Sequence, residues 1–154
     1  MKRARSRTSR VPVAIRKSRL GDAKALAELS AQLGYELTSQ QVTSDLKRIL
    51  RDKSAELVVA EISGRGVVGW IQLFEQTALA GGHRIEIGGL VVGESSRGAG
   101  VGRALMSFAE ARARKLGCSC VYLRTNVKRA AAHIFYERLG YTHIKTQKAY
   151  RKEL

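Results

Sequence analysis

The sequence is short of the residues that would take it out of the ordinary globular class. It has one proline and two cysteines in 154 residues. So little proline excludes a proline-rich linker, and so few cysteines exclude a disulfide scaffold. No apolar run reaches the roughly 18 residues that a membrane span requires. The longest candidates, such as Val67 to Phe74, are the length of a strand. Three histidines lie in unlike contexts, at His83, His133 and His143, so no metal site is expected. The first ten residues lack the apolar stretch of a secretory leader. A soluble, cytoplasmic protein follows as the expectation.

Acids are also scarce, with 13 Asp and Glu against 28 Lys and Arg, for a net charge of +15. The excess is uneven. Lys2, Arg3, Arg5, Arg7, Arg10, Arg16, Lys17 and Arg19 precede the first acid, so eight of the fifteen charges sit in nineteen residues. Residues 1–10 read as a solvated basic tail ahead of one domain over 11–154. The tail has no aromatic residue. It therefore supports only non-specific contact with nucleic acid.

What is present is a sequence of alternating elements. Val11 to Arg16 reads as a first strand. Asp22 is placed to cap a helix with Leu26, Leu29 and Leu33 on one face. Thr38 and Gln41 form a capping-box pattern before Val42, Leu46, Ile49 and Leu50. Glu56–Ile62 and Val67–Phe74 flank Ser63-Gly64-Arg65-Gly66, which signals a hairpin. Ile85–Val92 follows a loop at Ala80–His83, and Gly88-Gly89 in it suggest a bulge or a close backbone approach. A helix follows from Val101 through Leu105, Phe108, Ala109 and Leu116 to a stop at Gly117. Cys118–Thr125 reads as a strand that buries its two cysteines on opposite faces as small apolar residues. Ala130–Leu139 reads as a short helix and Tyr141–Lys152 as a last strand or hairpin. The predicted order is β-α-α-β-β-β-α-β-α-β: a mixed, mostly antiparallel α/β sheet with helices on both faces.

The sharpest local feature is Arg97-Gly98-Ala99-Gly100-Val101-Gly102-Arg103, between a strand and a helix. Glycines there let backbone N–H groups close on an anion, and the helix N-terminus adds partial positive charge. A Walker A loop would place Lys-Ser/Thr where Arg103 and Ala104 stand. A dinucleotide fingerprint would need a different glycine spacing, early in the chain.

Arg97-x-x-Gly100-x-Gly102 resembles the Gln/Arg-x-x-Gly-x-Gly/Ala motif of the GNAT acetyltransferases. The resemblance continues through Leu90-Val91-Val92, Asn126 and Phe135-Tyr136-Glu137-Arg138-Leu139-Gly140-Tyr141, and covers nearly all of the chain after residue 11. It implies a sheet splayed between the Ile85–Val92 and Cys118–Thr125 strands, with acetyl-coenzyme A as cosubstrate in the gap. Arg97, Gly98, Ala99, Gly100, Val101, Gly102 and Arg103 would hold the pyrophosphate, and Leu90, Val91 and Val92 the pantetheine arm. Asn126 would contact coenzyme A, and Lys128 and Arg129 would reach its phosphates. Tyr136 matches the family's general acid and Glu86 the position of a general base.

Thr125-Asn126-Val127-Lys128-Arg129, Ala132-His133 and Phe135-Tyr136 look like the aminoalkylphosphonate and small-amine branch. Gly89 stands where that branch commonly has a second acid, a departure that puts a metal-assisted variant in doubt. The implied reaction is acetyl transfer to a small primary amine. Glu28, Glu36, Asp45 and Tyr35 would suit a cationic acceptor; Lys47, Arg48, His83 or Arg84 would suit a phosphonate. Both stay open. So do acetylation of protein lysines or N-termini, a non-catalytic coenzyme A-sensing or nucleic-acid-binding module, and a homodimer.

Overall fold

The computed structural model describes residues 12–154, so the basic tail expected over residues 1–10 lies outside the described residues. The chain divides into two compact units, meeting in sequence at Leu123 and Arg124. The first contains one five-stranded sheet, in spatial order β1 (Val13–Lys17), β2 (Ala55–Ile62), β3 (Gly66–Ala78), β4 (Gly82–Val92) and β5 (Cys120–Leu123). The first four strands pair antiparallel; β4 and β5 run parallel. A parallel neighbour needs a crossover, and α3 (Val101–Lys115) supplies it. Before β2 come α1 (Ala23–Ala31) and α2 (Ser39–Ile49).

Alternation along β2 sends successive side chains to opposite faces. Leu57 and Val59 join Ala23, Leu26, Ala27, Val42 and Leu46, so α1 and α2 cover that face. On the other face, Arg112 of α3 donates to Glu56 at 3.1 Å. A Cβ added to Gly69 would lie 3.2 Å from Val101 and 3.4 Å from Leu105 of the same helix. Helices therefore cover both faces, as expected. Val58, Val59 and Ala60 are all 0% exposed, because β2 is buried on both sides.

Two bulges adjust this alternation. β2 and β3 shift register between Ala60 and Glu61, which leaves Val68 as the extra residue. Val67 and Trp70, three apart, thereby pack on the same helical cluster. β3 and β4 shift between Gln72 and Leu73, and the extra residue is Gly88. The bulge expected at Gly88-Gly89 is present, and so is the close approach. A Cβ on Gly88 would lie 2.3 Å from the Phe74 ring, and one on Gly89 2.7 Å from Trp70. Both rings lie across the backbone where no side chain fits.

The edges depart from the expectation in four places. The β3–β4 hairpin is longer, running to Ala78 and resuming at Gly82. β5 begins only at Cys120; Cys118 precedes it and is half-buried, while Cys120 is exposed. The expected burial of both thiols fails because β5 is an edge strand. Residues 141–154 form no strand: they are almost entirely exposed, Ile144 and Tyr150 included, and polar and basic side chains interrupt their few apolar ones. Finally, Leu33 falls beyond the end of α1 and Leu50 is exposed at the end of α2.

Thr38 caps α2 as its spacing predicts, accepting from the Gln41 backbone N–H at 3.1 Å while Gln41 accepts from Thr38 at 2.8 Å. Asp22 precedes α1 but its side chain makes no cap bond to that helix. Instead its buried carboxylate accepts two bonds from the Arg16 guanidinium, at 2.8 and 2.9 Å, and one from the Arg19 N–H at 2.9 Å. This fork ties β1 to the start of α1. Arg16 also donates to Glu61 on β2 at 2.6 Å.

The Arg16 bonds hold the Asp22 carboxyl below its ordinary range, with burial opposing them. A carboxyl depressed on folding contributes stability that is complete above its unfolded pKa, about 3.9, and is lost as pH falls through the folded value. Asp22→Asn should lower stability at pH 7 by about 2–3 kcal/mol. It should also flatten the loss of stability below about pH 4. Urea unfolding of both proteins from pH 2 to 7 reads this directly, and parallel curves would place the acid sensitivity elsewhere.

Candidate active site

Four consecutive pairs join β4 and β5, from Arg84 with Cys120 to Ile87 with Leu123. The ladder ends there because β5 ends at Leu123. Gly88 to Val92, including Leu90, Val91 and Val92, have no ladder partner on that side among the described residues. A row of unpaired peptide groups there offers an extended ligand the bonds of an added strand.

β4 then runs into the glycine loop. The Gly93 N–H donates to Val68 at 2.8 Å, and Ser96 is buried. Arg97 is exposed and reaches back to the Val92 carbonyl at 3.4 Å. Gly98 has φ 77° and Gly100 has φ 84°, a left-handed backbone that disfavours any other residue. A Cβ at either would meet nothing within 4 Å, so the dihedral, not crowding, requires glycine. Gly100 is the N-cap of α3, and its carbonyl accepts from Ala104 at 3.0 Å.

The backbone N–H groups of Gly98, Gly100, Val101, Gly102 and Arg103 find no acceptor among the described residues. No acid lies in the first turn of α3, and the exposed Arg103 adds charge. Five free donors at a helix start fit a pyrophosphate by count and by sign.

Glu86 is 6% exposed, in the middle of β4. It stands opposite Phe74 on one side and Tyr122 on the other. Phe74 and Trp70 share a face by strand period, so Glu86 faces the side that α1 and α2 cover. The Gly88 bulge brings Gly89 to this face as well. Arg84, two residues earlier, donates to Glu86 at 3.2 Å and stacks on the Tyr122 ring, 4.1 Å from its centroid. Sequence reasoning weighed Arg84 only as a cationic partner for a phosphonate; its pairing with Glu86 follows from their i, i+2 strand spacing. Tyr122 was missed, because only the parallel register reveals it.

His83 lies on the opposite face, with its Nε2 2.8 Å from Glu75 and 3.6 Å from the Cys118 sulfur. The helix acids Glu28, Glu36 and Asp45 are exposed, as are Tyr35, Lys47 and Arg48.

The second unit, Arg124–Leu154, carries the remaining residues. Asn126 accepts from the Lys128 N–H through its side chain at 2.9 Å, and its carbonyl accepts from Arg129 at 3.0 Å. That turn leads into α4 (Ala130–Arg138), with Arg129 as N-cap. His133 also meets the Asn126 carbonyl, at 3.0 Å. Tyr136 packs edge-on between Phe135, 5.1 Å away, and Tyr141, 6.0 Å away. Burial raises its phenol above the ordinary value, and Arg129 partly offsets this. The hydroxyl is thus a proton donor at neutral pH.

These features agree with what known proteins show. The model of the Acetyltransferase (GNAT) family matches residues 23–141. The chain belongs to the GNAT family. The family is one of acetyltransferases, whose cosubstrate is acetyl-coenzyme A. An aminoalkylphosphonate N-acetyltransferase from Salmonella typhimurium is 43% identical over 86 residues, which are 54% of this chain and 56% of that protein. The chain thus matches only about half the length of this curated relative. A Bacillus halodurans structure described as a transcriptional regulator is 28% identical, with TM-score 0.79, covering 90% of this chain and 100% of that one. AAC(6')-Iy, solved with the bisubstrate analogue CoA-S-monomethyl-acetylneamine, shares the GNAT fold at TM-score 0.80 and 18% identity, over 93% of this chain and 99% of that one. Among the described residues no helix is long and apolar enough to cross a membrane.

The free donors generate a test. Gly100→Asp places a carboxylate at the α3 start in open space, so the fold should survive with the modest strain of its φ. Acetyl-coenzyme A affinity should fall about 10- to 100-fold by calorimetry. Unchanged affinity in a folded variant would remove the loop from the cofactor site.

Proposed function

We propose that this GNAT enzyme acetylates the primary amine of a small molecule by direct attack on acetyl-coenzyme A. The observation that carries the reading is the continuity of β4: a buried carboxylate, an edge without a ladder partner among the described residues and a helix start with free donors follow one another in seventeen residues, Glu86 to Gly102. The second support is the relative whose substrate class is a small aminoalkyl compound.

The residues fit the cofactor's parts. The N–H groups of Gly98 to Arg103, with Arg97 and Arg103, would bind the pyrophosphate. Leu90 to Val92 would bond the pantetheine arm along the open β4 edge. By the family resemblance, Asn126 and Arg129 would contact the cofactor as well. The bound thioester supplies an electrophilic acyl carbon and a thiolate leaving group. Glu86 takes the proton of the ammonium, directly or through one water, and frees the nitrogen lone pair to form the amide bond. Tyr136 gives its phenolic proton to the sulfur as the carbon–sulfur bond breaks. The second amine proton, lost as the amide forms, restores the Tyr136 phenol through solvent, and Glu86 gives its proton to solvent, so the products are neutral thiol, amide and one proton. No enzyme-bound acyl group is required, and holding the two reactants together supplies much of the rate.

The basic tail takes no part in this chemistry, and the free thiols Cys118 and Cys120 suit a reducing compartment such as the cytoplasm. Thiol release with acetyl-coenzyme A against a panel of small amines and lysine peptides tests the acceptor. Turnover of peptides together with silence from every small amine would overturn it.

Tyr136→Phe should lower kcat by about 10²–10⁴-fold. Because an acid must be protonated to act, the wild-type rate should fall only as pH passes above the ordinary phenol pKa of about 10, and the variant should lose that limb. Glu86→Gln should cost a similar factor. A chain beginning at Val11 should keep its kcat/KM; a large drop would place the tail over the active site.

A further inference from the structure

Positive charge is divided unevenly between the two units, and acetyl transfer does not account for the division. Residues 12–123 hold fifteen Lys and Arg against eleven acids, a net +4 over 112 residues. Residues 124–154 hold eight against two, a net +6 over 31 residues. In the first unit many cations are answered locally. Arg16 pairs with Asp22 and Glu61, Lys17 and Arg112 with Glu56, and Arg114 with Glu110. In the second unit all eight cations are exposed. Lys128 and Arg129 belong with the cofactor's phosphates by resemblance, and Arg151 pairs with Glu153. Arg138, Lys145, Lys148 and Lys152 have no carboxylate partner among the described residues.

The same stretch holds an aromatic ring in the open. Tyr150 is 87% exposed, two residues after Lys148 and directly before Arg151 and Lys152. No other ring and no guanidinium stacks on it among the described residues. Unanswered cations beside a bare ring match single-stranded nucleic acid. Its phosphates answer the cations, with release of condensed counterions. Its unstacked bases answer the ring, which accepts the face of any base. A duplex offers the phosphates, but its bases are already stacked on one another. An anionic membrane also offers phosphates, but a surface-bound segment inserts the apolar face of an amphipathic helix. Residues 141–154 form no helix, and Ile144 and Tyr150 stand six positions apart among polar and basic side chains.

We propose that residues 138–152 bind single-stranded nucleic acid, with Arg138, Lys145, Lys148 and Lys152 on phosphates and Tyr150 stacked on a base. Phosphate contacts carry no base identity and stacking tolerates every base, so the binding is independent of sequence. Docking and acetyl transfer then use different side chains, and the enzyme works while held on a polyanion. Residues 1–11 bring five further cations and no aromatic residue. They add to the attraction for phosphate and give no preference for a single strand.

The test titrates the full chain into a short fluorescent oligonucleotide, as single-stranded RNA, single-stranded DNA and duplex DNA, and reads polarisation across a series of salt concentrations. Saturating coenzyme A is present, so that the oligonucleotide's phosphates do not occupy the glycine loop. On a single strand each phosphate contact contributes about −0.7 to the slope of log affinity against log salt. The triple variant Lys145→Gln, Lys148→Gln, Lys152→Gln should therefore lose about 2 from that slope. Tyr150→Ala should weaken binding of the single strands about 5- to 100-fold and leave the duplex unchanged. A chain beginning at Val11 should show both effects. Both variants should unfold at the wild-type temperature, because every altered side chain is exposed. The RNA and DNA arms show which single strand is preferred. The proposal is overturned by an unchanged slope in the triple variant, by equal losses for single strand and duplex in Tyr150→Ala, or by displacement of the oligonucleotide as coenzyme A is added. It is overturned equally by adsorption to phosphatidylserine vesicles with no binding of any oligonucleotide.

Discussion

The contact between two aromatic rings and two glycines constrains more of this protein than any charged group does. Phe74 and Trp70 lie over Gly88 and Gly89 at distances that exclude a Cβ. With Gly88 as an unpaired extra residue, the β3–β4 ladder changes register there. Glu86 and Gly89 then share a face although they are three positions apart. The β4–β5 ladder ends beside it, the last shared pair being Ile87 with Leu123. One local packing arrangement thus sets the depth of the carboxylate and the line along which the strand enters the glycine loop.

Much of this was legible in the sequence, for reasons that differ by element. The hairpin at Ser63 to Gly66 and the stops at Gly117 and Gly140 were readable because those backbones require left-handed glycine. Thr38 and Gln41 were readable because a capping box is local. The paired glycines Gly88-Gly89 announced a bulge but not its cause, because the rings come from a neighbouring strand. Asp22 had the spacing of a helix cap; a long-range partner, Arg16, outbid the local one. Tyr141–Lys152 had some strand-like residues but no apolar face, and local propensity alone did not produce a strand.

The site residues divide the same way. The glycine loop was visible because its chemistry is contiguous in sequence. Glu86 was visible only by resemblance, and its burial came from the sheet. The Arg84–Tyr122 stack was invisible, because it depends on a parallel register set through a fifteen-residue helix. Long-range pairing of this kind leaves no periodic trace in either strand.

The open edge of β4 has a thermodynamic meaning of its own. Peptide groups from Gly88 to Val92 on that side are an unfinished ladder among the described residues. On the proposed reading, a guest that completes the ladder binds the folded chain and has no counterpart in the unfolded one. Folding and occupancy are then linked, and stability grows as RT ln(1 + [L]/Kd), about 2.7 kcal/mol at a hundredfold excess over Kd. The lifetime of such a protein against unfolding and proteolysis would follow the supply of its own cosubstrate, through no regulatory site beyond the missing half of a strand pair.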